Sequence, residues 1–257
     1  MPARRARGAA GRRGGLIAAA SAGLAVAHAG PGITALRSVR LALFPGLAGR
    51  GAAGHVALTF DDGPDPAATP LFLEVLAERG VRATFFLLGS QISRSPRLAA
   101  DIADAGHEIG VHGWRHRYLP LRPPAATYAD LAGAKEIITA TAGVRPWLFR
   151  PPYGVLSTAS LVAAGRLGLT PVLWSAWGKE WTPGSTPESV FATLAGDLSG
   201  GATVLLHDSD NTSPDGSWRA AIGALQLLLD ECERRGLRVG PLGEHGPRWA
   251  PPTRERP

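Results

Sequence analysis

Seven short apolar runs recur along the chain, at His55–Phe60, Ala83–Leu88, His107–Val111, Trp147–Phe149, Thr170–Trp174, Ala202–Leu206 and Leu237–Val239. A helix-like segment separates each run from the next: Thr69–Arg79, Pro96–Ala105, Ala125–Thr141, Thr158–Leu167, Pro187–Leu198 and Trp218–Arg235. Several of these carry start and stop signals, such as Ser95 before Pro96, and Gly80, Gly106 and Gly236 after the last helical residues. Strict alternation of strand and helix implies a parallel sheet with right-handed crossovers, because two parallel neighbours can be joined only through a long connection. Seven strands suit a barrel better than an open sheet. A chain of 257 residues with 45% hydrophobic and 19% charged residues can bury one substantial core, so a single α/β domain is the economical reading.

The polar residues that break this pattern fall at the ends of the runs. Asp61 and Asp62 follow the first, His112 the third, Arg150 the fourth, Trp177 the fifth and His207 the sixth. In a parallel barrel the loops after the strands converge on one mouth, where an active site is built. Adjacent carboxylates repel unless a cation or strong donor compensates. On extended backbone their side chains diverge, so one can hold a cation while the other faces a substrate. His112 and His116 lie on one face of a helical turn, and with one carboxylate they make the three-ligand set of a catalytic zinc site.

Five segments, in this order, carry a resemblance. They are Thr59-Phe60-Asp61-Asp62-Gly63-Pro64, His112-Gly113-Trp114-Arg115-His116, Arg150-Pro151-Pro152-Tyr153-Gly154, Trp174–Trp181 and Leu205-Leu206-His207-Asp208. Together they resemble the motifs of the polysaccharide deacetylase family, the NodB-homology group of carbohydrate esterase family 4, over about Val56 to Val239. The resemblance implies a distorted seven-stranded (β/α) barrel and hydrolysis of an acetamide on an N-acetylated glycan of the peptidoglycan or chitin kind.

It also implies roles. Asp62, His112 and His116 would hold a divalent metal, zinc by its donor set, which polarises the carbonyl and acidifies a water. Asp61 would be the general base, and His207 would protonate the departing amine. The backbone N–H of Tyr153 would help hold the oxyanion. Arg82 and Arg150 are the two candidates to clamp the base. Trp181 matches the aromatic that packs on the acetyl methyl group. The fourth motif departs from the family: Trp177 stands where an Asp usually orients the acid His, and Glu180 where a second Asp usually stands. An indole accepts no hydrogen bond, so the orienter of His207 is left among Glu180, Asp208, Asp210 and a backbone carbonyl, and Trp177 is free to stack on a sugar ring. Two other classes compete: an amidohydrolase acting on a small non-sugar amide or imide, and a catalytically weak sugar-binding homologue.

The ends read differently from the middle. Arg4, Arg5, Arg7, Arg12 and Arg13, then the apolar Leu16 to Ala27, then Ala27-His28-Ala29 give the three-part layout of a signal peptide over residues 1–29; a basic leader is the alternative. Residues 30–54 read as a linker or flap, 55–240 as the catalytic domain and 241–257 as a flexible tail, with His28 and His245 in flexible ends. The signal peptide implies a secreted or cell-surface protein, a basic leader a cytoplasmic one. The formal charge of +6 is concentrated at the ends; it suits peripheral association with a cell wall or membrane surface, whereas nucleic acid would need an aromatic-basic platform. Cys232, the single cysteine, excludes an internal disulfide, and a monomer is the expected state.

Overall fold

The computed structural model describes residues 22–252; the Arg-rich stretch and the first part of the apolar stretch lie outside the described residues. The strands are β1 (His55–Asp61), β2 (Thr84–Leu87), β3 (Glu108–Val111), β4 (Leu148–Phe149), β5 (Thr170–Pro171), β6 (Ala176–Trp177), β7 (Thr203–His207) and β8 (Arg238–Gly240). Every ladder is parallel, and the path runs β5-β4-β3-β2-β1-β7-β6. Among the described residues seven parallel strands curl into a half-barrel, in keeping with the distorted seven-stranded barrel expected, but their membership differs from the sequence reading. The fifth run is broken: Pro171 ends β5, and a separate strand, β6, carries Trp177. The Leu237–Val239 run becomes β8, off the path. Ala57 is the register partner of both Thr203 of β7 and Gly240 of β8, so β8 lies beside the first residues of β1, on the same side as β2.

Two helices precede β1, α1 (residues 22–29) and α2 (Arg37–Leu43), and others fill the crossovers: α3 (Thr69–Glu78), α4 (Gly89–Arg94), α5 (Pro96–Asp104), α6 (Pro124–Ala142), α7 (Thr158–Arg166), α8 (Pro187–Asp197) and α9 (Trp218–Arg234). Local chemistry starts α7 and α8. Ser157 with Ser160, and Thr186 with Ser189, form reciprocal capping boxes, and Pro187 takes the first helical position, where its missing N–H costs nothing. α5 starts at Pro96 with Ser95 as its N-cap residue, where the start signal places it, although the Ser95 side chain makes no capping hydrogen bond. The short α4 was not foreseen, because Gly89-Ser90-Gln91 carries little helical pattern. Helices and sheet enclose one large apolar core, in which Phe60 packs against both Phe72 and Phe85.

The path leaves an opening between β5 and β6, and the segment before β1 spans it. The Leu173 N–H donates to the Leu47 carbonyl at 2.7 Å, and the buried Arg40 side chain donates to the carbonyls of Trp174 and Thr34. The region after β8 is equally tied down. The Trp249 indole N–H donates to the Arg50 carbonyl, and the Ala52 N–H to the His245 carbonyl. His245, placed by the sequence reading in a flexible end, is fully buried with Nδ1 2.8 Å from Nδ1 of His55.

Candidate metal centre and its surroundings

Register brings the polar residues together. Asp61 and His207 are Cα partners on adjacent strands. Val111 and Phe149 are partners as well, so the residues that follow them, His112 and Arg150, leave the sheet side by side. All of these sit at the carboxyl ends of parallel strands, the rim at which the sequence reading places them.

The Asp pair does not behave as extended backbone would dictate. Asp61 closes β1, but Asp62 takes a left-handed conformation with φ of +75°, which Asp tolerates better than most residues. Instead of diverging, both carboxylates face His112: its Nε2 is 3.3 Å from Asp62 Oδ1 and 3.8 Å from Asp61 Oδ2. Nε2 of His116 lies 3.5 Å from the same Asp62 oxygen. The three ligand atoms of Asp62, His112 and His116 all lie within 4.8 Å of one another.

These donors fit a cation. His112 Nδ1 is 2.8 Å from the Arg150 carbonyl, which can only accept, so Nδ1 carries the hydrogen and Nε2 of the neutral ring presents a lone pair to Asp62. Asp62 Oδ1 is buried with no hydrogen-bond partner. Lone pairs from three groups converging in a buried space repel unless something positive sits between them. The pKa shifts point the same way. Burial works against charge on His112, but Asp61 and Asp62 outweigh it and hold the ring above its usual value. Burial pushes His116 down to about 4 despite the pull of Asp62. Asp62 is held well below the carboxylate range: burial opposes this, and is outweighed by His112 beside it, by His116 and by His207. The other oxygen of Asp62 accepts from the Thr212 hydroxyl at 2.5 Å.

Asp61 is held differently. Arg150, fully buried, donates from Nη1 to Asp61 Oδ1 at 2.8 Å and to the Thr59 hydroxyl at 2.7 Å. Its Nη2 donates to the Leu173 carbonyl, and its guanidinium lies over the Phe86 ring. Arg82, the other candidate clamp, is a correction. It precedes β2 at the amino-terminal end of the sheet, is half exposed, and pairs with Glu244. Strand starts and strand ends lie at opposite rims of a parallel sheet, so Arg82 is far along the strand from Asp61.

His207 closes β7, and of the partners left open for it the structure selects Glu180, whose Oε1 is 2.8 Å from His207 Nδ1. Asp208 turns away to the Thr69 hydroxyl at 2.6 Å, and Asp210 to the Gly216 N–H. Trp177 lies between Trp174 and Trp181, with ring centroids 5.0 and 4.3 Å away, and Trp181 stands edge-on to His207 at 5.9 Å. Tyr153 follows Pro151-Pro152 with φ of +60°, and its exposed ring meets His116 edge-on at 4.3 Å.

Sequence reasoning missed several contributors. The sequence reading assigns no role to Thr212, which donates to Asp62, to Thr59, which accepts from Arg150, or to Asp130, whose Oδ2 accepts the Trp114 N–H and shapes the His112–His116 loop. Thr59 stands two residues before Asp61, hence on the same strand face, which is the one signal that could have found it. Thr212 and Asp130 come from distant segments and leave no spacing to read.

A family model described as polysaccharide deacetylase matches residues 48–172. A peptidoglycan-N-acetylglucosamine deacetylase of Bacillus cereus is 33% identical over 191 residues, covering 74% of this chain and 86% of that protein. A chitooligosaccharide deacetylase of a Bradyrhizobium species is 34% identical, covering 73% of this chain and 88% of its own. Among solved structures, a peptidoglycan N-acetylglucosamine deacetylase superposes with a TM-score of 0.71 at 30% identity, over 77% of this chain and 91% of that one.

Proposed function

Because the chain belongs to the polysaccharide deacetylase family, we propose that it is a metal-dependent hydrolase that removes acetyl groups from N-acetylated sugars of a cell-surface polysaccharide. The observation that carries the reading is the convergence of Asp62, His112 and His116 beside a second carboxylate, Asp61, that an arginine holds by one oxygen only. A divalent cation on those three residues would supply Lewis acidity toward the acetamide carbonyl and toward water. Zinc is the ion their two imidazoles and one carboxylate suit best.

The chain's own groups do the rest. Asp61 Oδ1 is engaged by Arg150, and Oδ2 lies beyond hydrogen-bond range of His112, so it is the oxygen available to accept a proton from water. His207, its Nδ1 occupied by Glu180, keeps Nε2 for delivering a proton to the sugar nitrogen as the C–N bond breaks. Tyr153 would present its N–H to the oxyanion, positioned by the rigid Pro151-Pro152 approach and the left-handed turn. Trp181 offers an apolar wall beside His207 for the acetyl methyl group, and Trp177 a flat face for a sugar ring. Action outside the cell or at its surface is part of the same proposal.

The test is acetate release from N-acetylglucosamine oligomers and from peptidoglycan, with chelator and with zinc restored. Acetate that disappears with chelator and returns with zinc is the expected result. No acetate from either substrate in the zinc-loaded protein would overturn the reading.

A further inference from the structure

Beside the metal-binding residues a groove of about 530 Å³ runs between α4 and the His112–His116 loop, with His116 and Thr212 at one side. Three arginines line it: Arg94, Arg115 and Arg117. All three are exposed, and no carboxylate among the described residues lies within ion-pair distance of any of them. Elsewhere on the surface Arg37 pairs with Asp197, Arg79 with Asp230, and Arg234 and Arg235 with Glu231. Asp130, the carboxylate that Arg117 influences through space, is buried and already engaged by the Trp114 N–H and by Arg122.

The arginines are held as a unit with the metal-binding loop. Arg115 and Arg117 flank His116 in sequence. Arg94 ends α4, whose first residues are fastened to the same loop, the Gly89 and Ser90 N–H groups donating to the carbonyls of Gly113 and Trp114 at 3.0 and 2.8 Å. The Trp114 ring occupies the space that a side chain at Gly89 would need. Uncompensated positive charge fixed along one wall of a cleft attracts anionic groups and favours substrates that carry them.

We propose that Arg94, Arg115 and Arg117 form an anion subsite, so that the preferred substrate is an N-acetylated glycan bearing carboxylates near the acetamide to be cleaved, rather than a neutral one. The inference rests on the deacetylase reading and deepens it. It favours peptidoglycan-type strands over chitin-type oligomers, because alternate sugars of the former carry a lactyl group whose carboxylate is free wherever the peptide has been removed. Guanidinium groups suit the role because they stay charged and meet a carboxylate through two parallel donors.

The experiment compares kcat/KM of the zinc-loaded protein for acetate release from four substrates: an N-acetylglucosamine tetramer, intact peptidoglycan, the same glycan strand stripped of its peptides, and that stripped strand with its lactyl carboxylates methyl-esterified. The stripped strand is expected to exceed its ester by about tenfold at low salt, a preference that shrinks as ionic strength rises. The variant with Arg94→Gln, Arg115→Gln and Arg117→Gln is expected to bring that ratio below about threefold, mainly through KM. If intact peptidoglycan alone is preferred, the carboxylates recognised belong to the peptide, and the sugar-carboxylate assignment fails. Equal efficiency on the stripped strand and its ester, or a preference that survives in the triple variant, overturns the subsite while leaving the deacetylase reading standing. Acetate from none of the four overturns both.

Discussion

Glu180 Oε1 lies 2.8 Å from Nδ1 of His207 and 2.6 Å from the backbone nitrogen of the same residue. One carboxylate oxygen therefore fixes both the ring and the strand end that carries it, and a glutamate restores what Trp177 removes from the fourth motif. Burial disfavours charge on the ring, but Glu180, aided by Asp62 and Asp61, outweighs it and raises His207 to about 9. In the proposed role of proton donor His207 works in its protonated form, so activity should be lost as pH rises through its pKa. Glu180→Gln removes the charge that raises this value. The alkaline limb of the pH–rate profile of the zinc-loaded enzyme is expected to move to lower pH by about a unit or more, with kcat down roughly 10- to 100-fold. An unmoved limb would show that Glu180 does not control the ring.

Asp61→Asn keeps the shape of the side chain proposed as the base and removes its ability to take a proton. The variant is expected to bind zinc as the parent does while losing about 10²- to 10⁴-fold in kcat. His112→Ala should lose both the metal and turnover, because one of three ligands is gone. Calorimetric zinc titration beside acetate release separates the two cases, and full turnover in Asp61→Asn would remove it as the base.

Arg150 is a buried cation whose partners are the Asp61 carboxylate, the Thr59 hydroxyl and the carbonyls of Val172 and Leu173. Arg150→Met leaves Asp61 buried without its counter-charge and should cost about 3–5 kcal/mol in denaturant unfolding. Arg150→Lys keeps the charge but not the fork, so it should recover part of the stability and little of the activity. A stability change under about 1 kcal/mol in Arg150→Met would contradict the buried pairing.

Asp208 is buried beside Thr69, and burial pushes its carboxyl up to about 7, with Asp62 and Asp65 adding to the rise against the Thr69 hydrogen bond. Its carboxyl fills the space next to Gly63, where a Cβ would come within 2.5 Å. A folded-state pKa above the unfolded one means that the folded protein keeps a proton the unfolded chain has lost, so stability falls as pH rises between roughly 4 and 7. Asp208→Asn has no such proton. The unfolding free energy of its chelated form should vary less over that window than the parent's, a difference that chemical denaturation at pH 4.5 and pH 7.5 would detect or refute.

Apolar periodicity by itself determined the alternation of strand and helix, hence a parallel sheet, and hence a rim at which polar residues following the strands must meet. Asp61, Asp62, His112, His116, Arg150 and His207 could be named because each stands within two residues after an apolar run or four residues from one that does. Tertiary structure alone decided between partners that the sequence left equal. It separated Arg82 from Arg150, since a strand's two ends look alike in sequence but lie at opposite rims. It chose Glu180 for His207 over Asp208, because the side chain's direction depends on where β6 and the loop after it pack. It turned Asp62 back beside Asp61 through one left-handed residue, which alternation along a strand forbids. Contacts such as Thr212 to Asp62 join residues 150 positions apart; local propensity carries no information about such distances, and only the tertiary packing sets them.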